Sequence, residues 1–258
     1  MMKDNSITET LPLALPPFIK VGKTLESACR KALKDFSMIE DDSSIAIALS
    51  GGKDSLTLLF LLSAISGRGF PIFKIHAIYI DQKGRCGRAK NISFLREICK
   101  KLQVNFIVKS LPHKKYSNCY DCARDRRKIL FATTKELGTK KIAFGHHRED
   151  NIQTLLLNLF YKGEFSSFLP TLEMIHFGVT ILRPLIYISE NKIIQFAKNY
   201  GFLACCCTCT QRKKSMRKKI EMLIREIEKH FPHIRSNLAL SSFVYGSKKA
   251  VKEKSSSP

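Results

Sequence analysis

The chain lacks an apolar run long enough to cross a membrane. Its longest apolar stretch, Leu56 to Ile65, is about half of the roughly 20 residues that a membrane-spanning helix needs, and Thr57 and Ser63 interrupt it. The sequence before residue 22 holds acidic residues and prolines, and it lacks the basic stretch followed by an apolar stretch that marks a secretory signal. We therefore expect a protein of the cytoplasm with no membrane partner.

Acidic residues are scarce relative to basic ones. The 258 residues include 22 Asp and Glu against 44 Lys and Arg, which gives a formal net charge of +22. Solubility requires much less charge, so the imbalance indicates a polyanionic partner, with a solvated basic surface as the alternative. Apolar residues make up 44% of the chain, which suffices for a hydrophobic core in one large domain or two small ones.

Nine cysteines are expected to stay reduced in the cytoplasm, so they indicate thiolate chemistry and not disulfides. Four of them form two CxxC pairs, Cys119 with Cys122 and Cys206 with Cys209, and each pair has the spacing to bind one metal site. This spacing leaves open a structural zinc, an iron–sulfur cluster or a redox pair that forms a transient disulfide. Three cysteines are isolated in or near apolar patterns and are expected to be structural: Cys29, Cys86 and Cys99.

Strand-like and helix-like segments alternate along the middle of the chain. The predicted strands are four short apolar runs, at 44–49, 73–80, 104–108 and 141–144. The predicted helices between and after them are 54–66, 91–102, 125–137 and 150–160. Such β-α repetition predicts an α/β fold, in which helices cover both faces of a parallel sheet and ligands bind at the carboxyl ends of its strands.

Four regions are expected along the chain. A lead-in and helix at 1–40 precede an ATP-binding domain at 41–190 that carries the first cysteine pair. A helical C-terminal segment at 191–246 carries the second cysteine cluster, and a tail at 247–258, rich in Lys and Ser, is expected to be disordered.

The segment Ser50 to Ser55, with the sequence Ser-Gly-Gly-Lys-Asp-Ser, joins the first predicted strand to the first predicted helix of this alternation. Gly51 and Gly52 let the backbone approach phosphate oxygens, the first helical N–H groups point at the anion, and Lys53 adds positive charge. A Walker A loop is excluded, because Ile47 occupies the place of its first glycine. The segment resembles the SGGxDS loop of PP-loop ATP pyrophosphatases, which hold the pyrophosphate end of ATP and transfer AMP to a substrate oxygen.

Three carboxylates and two histidines lie near this loop in the predicted fold. Asp81 ends the second strand and is predicted to assist Mg2+ or the nucleotide, with a strand-end turn as the alternative. Asp54 and Asp150 are candidate catalytic residues, although helix capping explains Asp54 more simply and competes evenly for Asp150. His146 and His147 point in different directions from an extended backbone, so one is expected to pack and the other to face nucleotide or RNA.

Basic residues directly follow each cysteine pair. Those after the first pair include Arg124, Arg126 and Arg127, and they are predicted to contact RNA phosphates, with a solvated helix face as the alternative. Positive charge at these positions also lowers the pKa of nearby thiols.

Taken together, the motifs resemble the TtcA family of tRNA-cytidine(32) 2-sulfurtransferases over residues 44 to 232. The segments that carry the resemblance are Ser50 to Ser55, Asp81-Gln82-Lys83, Cys119-x-x-Cys122-x-Arg124-x-Arg126-Arg127, Gly145-His146-His147-Arg148-x-Asp150, Asn158-x-Phe160-Tyr161-x-Gly163, Arg183-Pro184-Leu185 and Cys206-x-x-Cys209. One difference is Glu149, where the family usually has Asp; the charge is kept, but the side chain is longer.

The resemblance implies an adenine nucleotide alpha-hydrolase-like (PP-loop) fold, in which Ser50 to Ser55 and His146 bind ATP with Mg2+. It also implies a [4Fe-4S] cluster held by Cys119, Cys122 and Cys209; the third ligand is alternatively Cys205, Cys206 or Cys207. The implied reaction is adenylation of the cytosine C2 oxygen in the tRNA anticodon loop, followed by sulfur transfer from the cluster to give 2-thiocytidine. A cysteine desulfurase is the implied sulfur donor, and a homodimer is expected.

Two other hypotheses remain from the sequence. One is a different PP-loop tRNA-modifying enzyme, of the lysidine or uridine-thiolase type, which adenylates its substrate but uses another nucleophile or base. The other is a zinc-stabilised RNA-binding protein in which the loop only holds nucleotide. Metal content and pyrophosphate release distinguish the zinc protein from the thiolase.

Overall fold

A computed structural model describes residues 11, 13–40, 43–81, 92–112, 116, 119–203 and 216–245. Six strands form one sheet: β1 Ser44–Ala48, β2 Lys74–Asp81, β3 Asn105–Ser110, β4 Lys141–Ala143, β5 Thr171–Met174 and β6 Val179–Leu182. The helices of the described residues are α1 Val21–Asp35, α2 Lys53–Ile65, α3 Ile92–Lys101, α4 Cys119–Glu136, α5 Arg148–Lys162, α6 Glu190–Asn199, α7 Met216–His230 and α8 Ile234–Tyr245.

The sheet has the strand order β3-β2-β1-β4-β6-β5. All neighbouring strands are parallel except β5 and β6, which pair antiparallel. The chain adds β2 and β3 on one side of β1 and then returns to place β4 on the other side. This reversal opens a crevice at the carboxyl ends of β1 and β4, which is where ligands bind in sheets of this type. The predicted α/β fold with a mostly parallel sheet is confirmed.

Helices cover both faces of the sheet, because alternate strand residues point to opposite faces. Ile45 and Ile47 of β1 pack in a core with α1, α2, α3 and α6, whereas Ala46 packs on the other side with α4. Helix α2 is buried on nearly every side, which explains why its sequence is apolar throughout and not amphipathic. The loop before α2 is therefore anchored to the centre of the fold.

The C-terminal helices pack on α5. Ile152 and Leu156 of α5 meet Ile220 and Ile224 of α7, with Ala239 of α8 alongside. The buried Asn151 amide also donates a hydrogen bond of 2.7 Å to the Ser242 hydroxyl of α8. The predicted helical C-terminal segment is thus confirmed and lies against the helix that carries Asp150.

Three features differ from the sequence prediction. The hairpin of β5 and β6 was not predicted, because its four-residue strands flank a one-turn 3-10 helix and carry no sustained alternation. Helix α4 begins at Cys119 and not at Asp125. Helix α8 was not predicted as a separate element.

Several predictions concern residues outside the described ranges. These are the Cys86 environment, the cysteines at 205–207 and 209, Gln82 and Lys83, and the tail at 247–258. In the described part of the chain, no helix is long and apolar enough to span a membrane.

Candidate active site

The loop between β1 and α2 is held in shape by its own two serines. The Ser50 N–H donates to the Ser55 hydroxyl at 3.1 Å, and that hydroxyl donates to the Gly52 carbonyl at 3.0 Å. Between them Gly51 has a φ of 75°, which favours glycine because a side chain is strained there. The serines thus close the turn, and the turn directs the N-terminus of the buried helix α2 towards the crevice.

Gly145, two residues after β4, lies close to this helix N-terminus. A Cβ added at Gly145 would lie 3.0 Å from the backbone carbonyl atoms of Asp54 and 3.1 Å from the Ser55 nitrogen. Such contacts are tighter than most real Cβ contacts, and helix backbone has little freedom to move away. Glycine therefore lets the chain entering α5 pass close beside the loop.

The loop opens on a cleft of about 250 Å³. Five parts of the fold contribute to it: the end of β1, the end of β2, the start of α2, the middle of α4 and the turn into α5. The lining residues are Ala48, Leu49, Ser50, Asp54, Ser55, Ile78, Tyr79, Ile80, Arg126, Leu130, Phe144, Gly145, His146, His147 and Asp150. Two carboxylates, two histidines and one arginine thus line one cleft together with the Ser50–Ser55 loop.

Lys53 does not line this cleft. Its ammonium contacts Asp54 Oδ1 at 2.7 Å and Glu190 Oε1 of α6 at 2.9 Å, and its side chain is 10% exposed. Burial, the largest influence, disfavours the charged amine, but the two carboxylates outweigh it and raise the pKa of Lys53. The lysine is therefore charged and already paired. Helix capping by Asp54, expected from the sequence, is not observed, because Gly52 occupies the N-cap position and Asp54 binds Lys53.

His147 and Glu149 form the next part of this charged network. Glu149 accepts hydrogen bonds from Arg148 Nε and Nη2 and from the Glu190 backbone N–H, the last at 2.7 Å. Burial raises the pKa of its carboxyl, but His147, Arg148 and the Glu190 N–H outweigh burial and hold it at about 2. His147 Nδ1 lies 3.4 Å from Glu149 Oε2. Burial also lowers the pKa of His147, yet the surrounding carboxylates raise it above the ordinary value.

Asp150 lies at the start of α5, where its Oδ2 accepts the His147 backbone N–H at 3.2 Å. It therefore has the helix-capping role that competed with catalysis in the sequence interpretation, and it also lines the cleft. Arg217 of α7 reaches the same place: its Nη2 donates to Thr154 Oγ1 at 3.1 Å, and its Nη1 lies 3.7 Å from Asp150 Oδ1. The C-terminal helices are thus tied directly to the cleft.

His146 lies between two aromatic rings. Its ring stacks on Phe144 at a centroid distance of 5.6 Å and contacts Phe168 at 4.9 Å on a tilt of 35°. Burial, followed by the nearby Arg183, lowers the pKa of His146 to about 4, so the ring is neutral at physiological pH. Both histidines line the cleft, but their surroundings differ: carboxylates raise the pKa of His147, whereas His146 packs between aromatic rings and is neutral.

Arg183 packs against the Phe168 ring of this aromatic group. Its guanidinium lies 4.6 Å from the centre of the Phe168 ring and donates to the Leu169 carbonyl. Burial and the charge of Arg127 lower the pKa of Arg183 to about 10. Arg183 therefore packs against Phe168, the ring that contacts the cleft-lining His146.

The CxxC helix reaches the cleft through an arginine. Cys122 is half-buried in the first turns of α4, and Arg126, one turn later, lines the cleft. Arg124 pairs with Asp121 at 3.4 Å and is more than half exposed. Among the described residues, no group of three or more His, Cys, Asp or Glu side chains is placed to hold a metal ion. The expected third cysteine ligand lies outside the described ranges.

Asp81 lies beside the cleft and is not among the residues that line it. It ends β2, one residue beyond the cleft-lining Ile80, and its carbonyl accepts the Leu111 N–H at 3.1 Å. The sequence does not predict two contributors, Glu190 and Phe168, since each acts through contact with a residue far away in sequence. Arg217 belongs to the basic run after the second cysteine pair, but its contacts with α5 are not predictable from that run.

Comparisons with known proteins agree with this geometry. The model of the ATP_bind_3 family, described as a PP-loop domain, matches residues 23–205. The tRNA-cytidine(32) 2-sulfurtransferase of Geobacter sulfurreducens is 34% identical over 225 residues, covering 84% of this chain and 87% of that protein. The protein of the same name from Cupriavidus necator is 34% identical over 226 residues, covering 83% of this chain and 71% of that protein.

Among solved structures, the U34-tRNA thiolase NcsA from Methanococcus maripaludis, determined with its [4Fe-4S] cluster, superposes with a TM-score of 0.70. Its sequence identity is 21%, and the match covers 86% of this chain and 78% of NcsA, so this likeness supports the fold alone. By the extent of the family match and by identity to relatives that it covers over more than two thirds of their length, the chain is an enzyme that belongs to the PP-loop family and, within it, to the tRNA-cytidine(32) 2-sulfurtransferases.

Proposed function

We propose that this enzyme converts cytidine 32 of tRNA to 2-thiocytidine in an ATP-dependent reaction, with AMP and pyrophosphate as the other products. One observation carries the proposal: the cleft beside the Ser50–Ser55 loop is also lined by Arg126 of the CxxC helix α4. The nucleotide loop and the cysteine-bearing helix therefore meet at one place. A substrate base activated at the loop would lie next to the helix that starts with Cys119 and Cys122.

The loop residues fit a polyphosphate. The turn at Gly51 and the N-terminus of α2 offer backbone N–H groups and a positive dipole to the anion, and Gly145 leaves the approach open. Asp54 and Asp150, both in the cleft, are the carboxylates we assign to Mg2+, which in nucleotide sites takes one or two carboxylates together with phosphate oxygens. Mg2+ would offset the charge that develops as pyrophosphate leaves. We keep Asp81 as a residue that assists from the rim.

Adenylation makes the cytosine C2 oxygen a good leaving group. We propose that neutral His146 orients the nucleotide or base through a hydrogen bond, and that Asp150 positions the reacting groups. A [4Fe-4S] cluster would supply the sulfur; its proposed ligands are Cys119, Cys122 and Cys209. Of these, only Cys122 has a described side chain, half-buried and one helical turn before Arg126.

The tRNA contact is assigned to the basic surface of α4. Arg124, Arg126 and Arg127 follow the cysteine pair, and the net charge of +22 favours a nucleic acid partner. With tRNA as the substrate, we also propose a cytoplasmic location, a cysteine desulfurase as the sulfur donor and a homodimer.

The test uses full-length protein purified without oxygen, with iron, sulfide and zinc measured first. Protein, MgATP, unmodified tRNA and a sulfide source are then combined, and AMP, pyrophosphate and tRNA nucleosides are quantified by mass spectrometry. We expect 2-thiocytidine in stoichiometric relation to AMP. Cys122→Ser should abolish 2-thiocytidine, whereas Cys29→Ser, in the buried core, should retain it. Lys53→Ala should reduce ATP-dependent turnover and leave the absorbance of the cluster unchanged.

The alternatives give different results. Pyrophosphate release with a different modified nucleoside would favour another PP-loop tRNA enzyme. Zinc in place of iron, with no pyrophosphate release, would favour an RNA-binding protein. Full thiolation by Cys122→Ser would refute the proposed role of the cysteine.

A further inference from the structure

Lys53 is held between carboxylates from two different helices. Asp54 is its neighbour on α2, whereas Glu190 is the first residue of α6. The two Nζ–O distances, 2.7 Å and 2.9 Å, are those of close charged hydrogen bonds. The only lysine of the loop therefore carries a positive charge that two carboxylates already balance.

Glu190 is fixed in this position by its backbone. Its N–H donates to Glu149 Oε2 at 2.7 Å, and Glu149 is itself buried and charged. The start of α6 is thus joined to the start of α5, and the Glu190 side chain is aimed at Lys53. The Glu190 side chain is nevertheless 36% exposed, compared with 10% for Lys53, so it is the partner that water can readily solvate.

A polyphosphate at the N-terminus of α2 would change this balance. Its negative charge would repel both carboxylates and attract the lysine ammonium. Asp54 lines the cleft and can be neutralised there by a divalent cation, but Glu190 lies outside the residues that line it. Of the two carboxylates, Glu190 is therefore the one that loses its partner when the phosphates bind.

We propose that Glu190 is a positioning residue that competes with the nucleotide phosphates for Lys53. It holds the ammonium at the edge of the cleft when nucleotide is absent and releases it to the phosphates when nucleotide binds. This inference rests on the proposed binding of ATP at the Ser50–Ser55 loop. Its consequence is that removing the Glu190 charge strengthens the binding of polyphosphate, whereas loss of a merely structural contact would weaken it.

The test is isothermal titration of the full chain, as wild type and as Glu190→Gln, with three probes: MgATP, inorganic pyrophosphate and AMP. Glutamine keeps the shape and a hydrogen bond to Lys53 but removes the charge. We expect the variant to bind MgATP and pyrophosphate about twofold to fivefold more tightly, which corresponds to a partly exposed ion pair of up to about 1 kcal/mol. AMP affinity should change less, because AMP lacks the pyrophosphate end.

Glu136→Gln is the matched control. Glu136 of α4 forms a similar partly exposed pair with Lys109 at 2.8 Å and does not line the cleft, so it reports the general effect of one added positive charge. Equal or weaker binding of polyphosphate by Glu190→Gln, or the same gain in Glu136→Gln, would overturn the competition. If Glu190→Gln does not fold, Glu190→Asp replaces it. The shorter side chain should release Lys53 in part and give a smaller increase in the affinity for polyphosphate. Unchanged or weaker binding of polyphosphate by that variant would overturn the proposal. Failure of the wild type to bind MgATP would instead refute the proposed function.

Discussion

Glu149 offers the clearest quantitative prediction, because its side chain is 7% exposed and joins the starts of α5 and α6. Replacing it by glutamine removes the charge and keeps the size. An amide NH2 group replaces one carboxylate oxygen and must face either the Arg148 guanidinium or the Glu190 N–H. Both of these groups are hydrogen-bond donors, so neither can accept a hydrogen bond from the NH2 group. At neutral pH we therefore expect Glu149→Gln to destabilise the fold.

The magnitude follows from the pKa of the carboxyl, which is about 2 in the folded protein and 4.5 ordinarily. That difference corresponds to about 3 kcal/mol of preferential stabilisation of the charged form. A lowered pKa contributes stability above the ordinary value, and this stability is lost as the pH falls towards 2. Between about pH 5.5 and 3.5, protonation of this carboxyl in the unfolded state should remove roughly 1 kcal/mol of stability from the wild type. The variant lacks this carboxyl and should therefore lose less stability than the wild type over the same range.

The contribution of His147 to stability should not change over this pH range. Its pKa is raised, so its contribution is complete below the ordinary value of 6.5 and is lost only as the pH rises through the folded value. The assay is urea unfolding followed by far-ultraviolet circular dichroism, since the chain has no tryptophan. Glu173→Gln, on the exposed side of β5, serves as the control. If the wild type and Glu149→Gln lose stability in parallel from pH 5.5 to 3.5, the assigned pKa is wrong.

Two further predictions follow from packing. Gly145→Ala should lower the free energy of unfolding by about 1–3 kcal/mol, because its Cβ would lie 3.0 Å from the α2 backbone. Gly52→Ala should lower it less, because its Cβ would have no neighbour closer than 3.5 Å. Urea unfolding measures both, and a larger loss for Gly52→Ala would contradict the close approach at Gly145. The thiols of Cys29 and Cys99, whose pKa burial raises to about 12, should resist iodoacetamide in the native protein and react in denaturant, as read by peptide mass spectrometry; rapid labelling of the native protein would show that these cysteines are not in the core.

The sequence predicted the central strands well because they are continuous apolar runs. β1 to β4 lie within two residues of their predicted bounds, and the helices after β1 and β2 do as well. The start of α4 was placed too late because the residues from Cys119 to Lys128 are mostly polar and present no apolar stripe. Four-residue strands such as β5 leave no periodicity to detect. The strand forms through its pairing with β6, which in turn pairs with β4.

For the site, the sequence located the loop but not the partners of its side chains. The Ser50–Ser55 segment is recognisable because glycine and helix-start chemistry are local properties. The pairing of Lys53 with Glu190 depends on how α6 packs against α2, which no local pattern encodes. From the sequence, Glu149 is only a longer substitute for Asp. In the structure its longer side chain brings the carboxylate to the Glu190 N–H.

These contacts bear on the role that we propose for the lysine in nucleotide binding. Asp54 and Glu190 balance its charge, so while it is paired with them it cannot be the main attraction for an incoming polyphosphate. We therefore assign that attraction to the N-terminus of α2 and to Arg126, which lines the cleft. In the proposed binding of ATP at this loop, Lys53 adds its charge only after its partners change. Because one of those partners starts α6, we expect nucleotide binding at the loop to be energetically linked to that helix.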